Sequence, residues 1–170
     1  LVSQLTSLAL AAGDPSADLT IVAEGNAAVF ESSTNRFLVK ASGVVMGKAT
    51  IEDWDALLYF FKKVYRANHP LHNKAFWIWQ YGDKQYGRSF ICVNEKGNIV
   101  GHVGANFGGN VAWIINVYLD EECRGKGILG KLYALARQYY PLAATAANKA
   151  GLGLYQNMRW IRYYDLVRFV

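Results

Sequence analysis

The stretch CRGKGILGKL, residues 123–132, decides the fold because it joins an apolar segment to a helical one. The sequence KLYALARQYY predicts a helix that begins within this stretch and ends near residue 139. A glycine-rich turn at a helix start leaves main-chain N–H groups without acceptors at the positive end of the helix dipole, and glycine lets an anion approach the backbone. We therefore expect a diphosphate site, with a plain surface turn and solvated cations as the alternative. The residues concerned are Arg124, Gly125, Lys126, Gly127, Ile128, Leu129, Gly130 and Lys131.

The three glycines also match the letters of GxGxxG, the dinucleotide-binding pattern. That match is weak, because no acidic residue closes a following strand at the expected distance. The P-loop pattern, with its final serine or threonine, is absent. Neither nucleotide motif therefore explains the turn.

The rest of the chain predicts alternating strands and helices. Residues 1–12 have apolar side chains at helical spacing, and four short extended pieces follow: LTIVAEG, NAAVF, RFLVKASG and VVMGKAT. TIEDWDALLYFFKKVY predicts a helix beginning near Thr50, where Asp53 completes a capping box, and NKAFWIWQY predicts a short buried helix. RSFICV and NIVGHVGANF predict two strands around a tight turn, and NVAWIINVYLD predicts a third, central strand. PLAATAAN, KAGLGLYQNM and IRYYDLVRFV then predict strand, helix and strand, so the class is α/β.

Composition limits the kind of protein. The 170 residues are 52% apolar and 18% charged, which suits one domain, or one domain with a short appendage. The net charge of +5 comes without a run of cations, which argues against a nucleic-acid partner but allows an anionic small ligand. No apolar run approaches the ~20 residues that span a bilayer, so no membrane partner is expected. Cys92 and Cys123 lack metal-site spacing and predict free thiols in a reducing, cytoplasmic location.

Two motifs resemble the GNAT superfamily of N-acetyltransferases. YLDEECRGKGILGKLYALA is similar to that family's acyl-CoA-binding segment, in which [QR]-x-x-G-x-[GA] opens a helix; leucine replaces the last glycine or alanine. NKAGLGLYQNMRW resembles a second segment at the right distance, and ATIEDWDALLYFFKKVY resembles the first strand end and helix. The resemblance covers about residues 44–170 and implies an α/β (α+β) fold: a mixed, mostly antiparallel central sheet flanked by helices. Motif positions are held by Arg124, Gly127, Leu129, Asn148, Leu154, Tyr155 and Trp160.

The resemblance implies an acyl-CoA-dependent N-acyltransferase. We expect it to move an acetyl group from acetyl-CoA to the primary amine of a small molecule by direct attack in a ternary complex. Main-chain N–H groups near Tyr118 and Leu119 would hold the acyl carbonyl, and those of residues 125–130 the diphosphate. Asn148 would touch the pantetheine arm, and the Tyr155 hydroxyl would protonate the departing sulfur. A sugar amine, an amino acid and a polyamine remain open as acceptors, and a homodimer remains open as the assembly.

These side chains also have structural interpretations. Tyr155 could be a buried tyrosine with a satisfied hydroxyl, and Asn148 could cap the following helix. His102 could act as general base through water, although a structural histidine is the more frequent case. A water chain could replace a side-chain base, and Asp120 could merely be solvated at its turn. Cys123 has no evident activating partner, which gives a nucleophilic role little support.

The first 43 residues stand apart from that family, and we expect an extension packed on the domain of residues 44–170. Its sequence DLTIVAEGNAAVFESSTNRFLVKASGV resembles the front of the class II aldolase/adducin family, whose loops hold a substrate phosphate. A remnant, a fusion junction and a chance likeness are alternatives, and the first residue, which is not methionine, suggests a fragment. The matching positions are Gly25, Asn26, Ser42 and Gly43.

Two further functions therefore stay open. One is a metal-dependent class II sugar-phosphate aldolase, which would need a histidine cluster. His69, His72 and His102 do not fit that spacing, so no metal is expected. The other is a non-catalytic module that binds acyl-CoA. The tryptophans are either walls of an acceptor site or core residues, and the core is favoured: Trp54, Trp77, Trp79 and Trp113.

Overall fold

The computed structural model describes residues 44–82, 85–145 and 149–163 in full, and the main chain of three strands that precede them. Those strands are β1 (Leu19–Glu24), β2 (Ala27–Ser32) and β3 (Arg36–Lys40). The chain continues through β4 (Val44–Lys48), α1 (Trp54–Val64), α2 (Lys74–Trp77), β5 (Gly87–Asn94), β6 (Ile99–Gly108), β7 (Val111–Leu119), α3 (Ile128–Arg137), β8 (Leu142–Ala144) and α4 (Lys149–Asn157). Short helical turns lie at Ile51–Asp53, Pro70–His72, Ile78–Gly82 and Glu121–Cys123.

The described strands form one sheet in the order β1 to β8, so neighbours along the chain are neighbours in space. β1 to β7 pair antiparallel in succession, whereas β7 and β8 are parallel. α3 lies in the crossover that a parallel pair requires. The predicted fold class, a mixed and mostly antiparallel sheet flanked by helices, is confirmed.

The sheet continues from the main domain into the first 43 residues. β3 pairs antiparallel with β4, with Lys40 opposite Val44. The strands predicted from LTIVAEG, NAAVF and RFLVKASG are present as β1, β2 and β3. The helix expected over residues 1–12 lies outside the described residues, and the division of the chain at residue 43 stays a prediction.

The helical turn Ile51–Asp53, which leads directly into α1, begins where the capping pattern predicts a helix. The Asp53 carboxylate accepts a hydrogen bond from the Thr50 main-chain N–H at 2.7 Å, which satisfies one of the donors that a helix start leaves unpaired. Leu57 and Phe61 follow at helical spacing and are fully buried against the sheet. Lys63 on the last turn reaches past β7 to Asp120, with 2.9 Å between Nζ and Oδ2. Its side chain is half exposed, so this ion pair links the two elements more than it stabilises them.

Helices cover both faces of the sheet, because side chains alternate along its strands. On β5, Phe90 and Cys92 point to the core beneath α3, whereas Ile91 points to the core beneath α1. Trp54 and Trp77 are core residues on the α1 side, as the sequence favours. The same prediction is wrong for the other two, which are exposed: Trp79 at 71% and Trp113 at 45%.

The strand predicted at the end of the chain lies mostly outside the described residues. Residues 161–163 form no strand, although IRYYDLVRFV predicts one, and residues 164–170 lie outside the described residues. None of the helices in the described part of the chain has the length and apolar character that crossing a membrane requires.

Candidate active site

β7 contains an irregularity near its carboxyl end. His102 of β6 lies opposite Tyr118. Two residues further along β6, Gly104 lies opposite Ile115, so one residue of β6 faces two of β7. This is a β-bulge, and Asn116 within it has a left-handed backbone with φ of 50°. Bulges redirect the main chain, and they are over-represented next to active sites.

β8 leaves β7 before this bulge. The parallel pairing joins residues 112–114 with residues 142–144, whereas β7 continues to Leu119. Within the described residues, no strand pairs with the β8 side of β7 beyond Ile114. The two strands therefore part, and the free edge of β7 presents main-chain polar groups to the gap between them.

The helical turn Glu121–Cys123 and a four-residue turn, residues 124–127, carry the chain from the end of β7 into α3. Gly125 and Gly127 have φ of 73° and 71°, a left-handed conformation that glycine adopts without steric cost. Within the described part of the chain, no main-chain carbonyl accepts from the N–H groups at the start of α3, as expected for a first helical turn. The residues with acceptor-free N–H groups are Gly125, Gly127, Ile128, Leu129 and Gly130.

Arg124 folds back onto the protein. Its Nε donates to the Leu119 carbonyl at 3.1 Å, and its Nη1 lies 3.3 Å from the Glu121 carboxylate. These contacts join the turn to the end of β7 and occupy donors that the motif would assign to a ligand. Lys126 is exposed and Lys131 half-buried, so cations still flank the glycines.

Tyr155 on α4 belongs to an aromatic stack. Its ring centre lies 4.7 Å from that of Trp160 and 6.5 Å from that of Tyr133 on α3, and both pairs are nearly parallel. The Trp160 main-chain N–H donates to the Tyr155 carbonyl at 3.0 Å, which closes the turn after α4. Tyr155 is half-buried, so the stack orients its ring but leaves part of it accessible. Asn148, its predicted partner at the pantetheine arm, lies outside the described residues.

His102 is completely buried, and both ring nitrogens have partners. Nδ1 lies 2.8 Å from the Asn116 carbonyl oxygen, and Nε2 lies 2.8 Å from the Ser89 hydroxyl. A carbonyl can only accept, so Nδ1 carries the proton and Nε2 accepts from Ser89. Burial lowers the pKa of His102 to about 4, which keeps the ring neutral at neutral pH. The structure does not place this ring at the surface of a cleft, as a base that works through water requires.

A cleft of about 820 Å³ opens on the α1 side of β7. Tyr118 faces it, with its ring 5.8 Å from that of Phe60 in an edge-on contact. Leu119, the next residue, packs into the core under α3 instead. Consecutive residues at the end of β7 therefore point to opposite faces of the sheet. Charged side chains of both signs line the cleft, among them Lys63, Lys96, Asp120 and Glu122.

Three residues of this arrangement were not predicted from the sequence: Ser89, Tyr81 and Asn116. The Asn116 Nδ2 donates to the Tyr81 hydroxyl at 2.8 Å, so Asn116 is held through its side chain as well as its carbonyl. Its signal was readable, because asparagine is depleted in strands and enriched among left-handed residues. Ser89 and Tyr81 carry no comparable mark.

Within the described residues, no three side chains of histidine, cysteine, aspartate or glutamate come together as a metal-binding group. The aldolase-like positions Gly25, Asn26, Ser42 and Gly43 lie outside those residues. That resemblance therefore stays a prediction.

Several solved structures share this fold. AAC(6')-Iy, in complex with the bisubstrate analogue CoA-S-monomethyl-acetylneamine, is 11% identical, with a TM-score of 0.64 over 75% of this chain and 97% of that one. The aminoglycoside 6'-N-acetyltransferase AAC(6')-Ih from Acinetobacter baumannii is 13% identical, with the same TM-score and the same coverage. Glucosamine-6-phosphate N-acetyltransferase from Arabidopsis thaliana is 11% identical, with a TM-score of 0.60 over 75% of this chain and 97% of that one.

The sequence itself gives the family. A comparison with curated proteins found no match. A family model described as the acetyltransferase (GNAT) family matches residues 49–164, which is more than half of the chain. This match confirms the predicted enzyme class, an N-acetyltransferase, and it covers the bulge, the glycine-rich turn and the Tyr155 helix. The chain therefore belongs to the GNAT family of acetyltransferases.

Proposed function

We propose that this chain transfers an acetyl group from acetyl-CoA to the primary amine of a small molecule, by direct attack of the amine within a ternary complex. The observation that carries the proposal is the set of acceptor-free N–H groups at the start of α3, beside the parted strands. Such helix starts bind phosphate groups through hydrogen bonds and the helix dipole. Membership of the GNAT family supports acyl-CoA as the ligand.

The acyl end of the ligand would lie at the free edge of β7. Main-chain N–H groups near Tyr118 and Leu119 would donate to the thioester carbonyl oxygen, where negative charge develops during attack. Donors that a strand already holds in place stabilise such charge without reorganisation. The bond from Arg124 to the Leu119 carbonyl supports this arrangement, because it ties the diphosphate turn to the strand end.

The transfer itself requires little covalent help from the protein. The amine nitrogen attacks the carbonyl carbon, the C–S bond breaks, and the electron pair leaves with the sulfur. The Tyr155 hydroxyl would protonate that sulfur, and Asn148 would touch the pantetheine arm. Because His102 is sealed, we assign the proton that the attacking nitrogen loses to a water molecule.

Ligand binding tests the proposal directly. Acetyl-CoA at about 100 times its Kd should add about 2.7 kcal/mol to the stability of the fold, which for a chain of this size raises Tm by about 5–10 °C. Isothermal titration should give one site per chain. No rise in Tm and no heat at millimolar acetyl-CoA would reject the proposal.

A pair of glycine variants places the binding site. A Cβ at Gly130 or at Gly108 would meet nothing within 4 Å, so neither Gly130→Val nor Gly108→Val should disturb the fold. Gly130 lies in the first turn of α3, where added bulk would obstruct a diphosphate, whereas Gly108 ends β6 at the other end of β7. We expect Gly130→Val to weaken acetyl-CoA binding and Gly108→Val to leave it unchanged. Equal affinities in both variants would place the ligand elsewhere.

A non-catalytic acyl-CoA-binding module is the second candidate, because the His102 ring is sealed and the Tyr155 ring is engaged in a stack. Release of free CoA, followed across amino sugars, amino acids and polyamines, separates the two functions. An enzyme should release CoA with at least one amine and lose rate in Tyr155→Phe while its Kd for acetyl-CoA is kept. Binding without turnover would favour the module.

We also propose a cytoplasmic location, which suits the two free thiols, Cys92 and Cys123. A homodimer is the assembly to test by sedimentation.

A further inference from the structure

We propose that Ser89, His102 and Tyr81, which are buried, and the half-buried Asn116 form a positioning network. It fixes the bulge of β7 so that the main-chain N–H groups after Asn116 stand at the thioester carbonyl. This inference rests on the proposed function, and it makes His102 a positioning residue that acts through the backbone of Asn116.

The network holds Asn116 at two points. The His102 Nδ1–H donates to the main-chain carbonyl of Asn116, and the Asn116 Nδ2 donates to the Tyr81 hydroxyl, each at 2.8 Å. The carbonyl contact restrains the peptide group that leads into the following residue, and the amide contact restrains the side chain. A left-handed residue anchored on both sides has little freedom to return to regular strand geometry.

The supports of the network are themselves fixed. Ser89 is 1% exposed, and its hydroxyl can donate to the remaining nitrogen of His102, which matches the tautomer that the Asn116 carbonyl imposes. The Tyr81 ring packs so closely on Gly104 that a Cβ there would overlap its hydroxyl. Gly104 lies on β6 opposite Ile115, beside the bulge. The two residues that anchor Asn116 are therefore His102 of β6 and Tyr81 of the helical turn Ile78–Gly82.

Aromatic rings close the network from water. Phe61 of α1 meets the His102 ring edge-on at 5.0 Å, and Tyr81 meets it at 6.0 Å. His102 therefore stays in one protonation state while ligands bind and leave. Hydrogen bonds in such a dry environment also hold their geometry more strongly than exposed ones.

The location of this network points to a role in function. Asparagine tolerates a left-handed backbone in turns, but inside a strand this conformation interrupts the regular geometry and needs support from its surroundings. Here three buried side chains, those of Ser89, His102 and Tyr81, hold it on the part of β7 that β8 has left. If Asn116 returned to regular strand geometry, the main-chain N–H groups after it would no longer point at the thioester carbonyl. The start of α3 would still hold the diphosphate.

Two substitutions of His102 separate positioning from simple packing. In His102→Asn the side-chain amide can take the place of Nδ1 and keep the donation to Asn116. In His102→Gln the amide reaches only as far as Nε2, so the Asn116 carbonyl loses its donor. Ser89→Ala removes the support of the tautomer with a smaller change of volume. His69→Gln is the matched control, because His69 receives its bond from Leu71 outside the network.

The readout is the ratio of the Kd values for CoA and acetyl-CoA, because only acetyl-CoA has a carbonyl for the β7 donors. One hydrogen bond of ordinary strength gives wild type a preference for acetyl-CoA of about fivefold. We expect His102→Gln to lose this preference with an unchanged Kd for CoA, and His102→Asn and His69→Gln to keep it. Difference infrared spectra of acetyl-CoA labelled with ¹³C at the carbonyl should show the same pattern in the bound C=O band.

The outcomes distinguish the two proposals. A wild-type protein that binds neither ligand overturns the proposed function, and this inference with it. A wild type that binds both equally overturns this inference and the carbonyl contact at β7, but leaves the binding of acetyl-CoA at the start of α3 intact. A His102→Gln variant that keeps the preference overturns this inference alone. Should His102→Gln fail to fold, Ser89→Ala decides, since it should weaken the preference while retaining a cooperative thermal transition.

Discussion

Acidification from pH 7 to pH 5 is expected to destabilise the protein through the buried ring of His102. Burial lowers its pKa in the folded state from 6.5 to about 4, against a smaller opposing effect of the Asn116 carbonyl. In the unfolded chain His102 is protonated as the pH falls below 6.5, whereas in the folded chain it stays neutral down to about pH 4. The unfolded state therefore binds more protons in this window, so stability is complete above it and falls as the pH falls.

The size of the loss follows from the two pKa values. At pH 5 the unfolded ring is almost fully protonated and the folded ring almost fully neutral. Linkage then gives a loss of about 2 kcal/mol between pH 7 and pH 5, with about 3 kcal/mol as the limit at lower pH. Against a typical total of about 5–15 kcal/mol, such a loss is measurable.

Urea unfolding at pH 7 and pH 5 measures this loss. His102→Gln removes the titrating ring, so its free energy of unfolding should change less than that of wild type by about 2 kcal/mol. Ser89→Ala should keep the wild-type pH dependence, because burial rather than the serine bond causes the shift. Burial also lowers the pKa of His69, so His69→Gln measures how much this second histidine contributes to the pH dependence of stability. Equal losses in wild type and His102→Gln would refute the reasoning.

Two further outcomes are expected. Gly104→Ala should destabilise the fold by about 1–3 kcal/mol in urea, because the new methyl group overlaps the Tyr81 hydroxyl; wild-type stability would show that this contact yields freely. A thiol reagent should modify Cys123 in the native protein but reach Cys92 only on unfolding, because Cys92 is fully buried and burial raises its pKa to about 12; simultaneous reaction of both thiols would contradict this burial.

Features that depend on nearby residues were predictable from the sequence. The helical turn that leads into α1 follows from Thr50 and Asp53, three residues apart, whose hydrogen bond is present. The turn before α3 follows from its glycines, two of which have left-handed backbones. The β5–β6 hairpin follows from a turn sequence between two apolar runs. In each case the interaction that decides the structure lies within a few residues of the pattern that predicts it.

The remainder depends on partners that are distant along the chain. Ser89 is 13 residues from His102, and Tyr81 is 35 residues from Asn116, so no local pattern links them. The sequence marks His102 as titratable but cannot show that it is sealed, because burial is a property of the assembled sheet. The hydrogen bond from Arg124 to the Leu119 carbonyl was also not predictable, because a motif position does not determine the direction of a long side chain.

The acceptor-free N–H groups at the start of α3 have a consequence for how this protein can change over time. Every residue except proline supplies an identical peptide nitrogen, so a ligand held by the backbone is indifferent to most exchanges of neighbouring side chains. The sequence changes that would disturb such a site are those that alter the backbone path at the left-handed glycines, Gly125 and Gly127. Under the proposed function, such a protein could therefore change its acceptor-binding surface while the acetyl-CoA site at the start of α3 is kept.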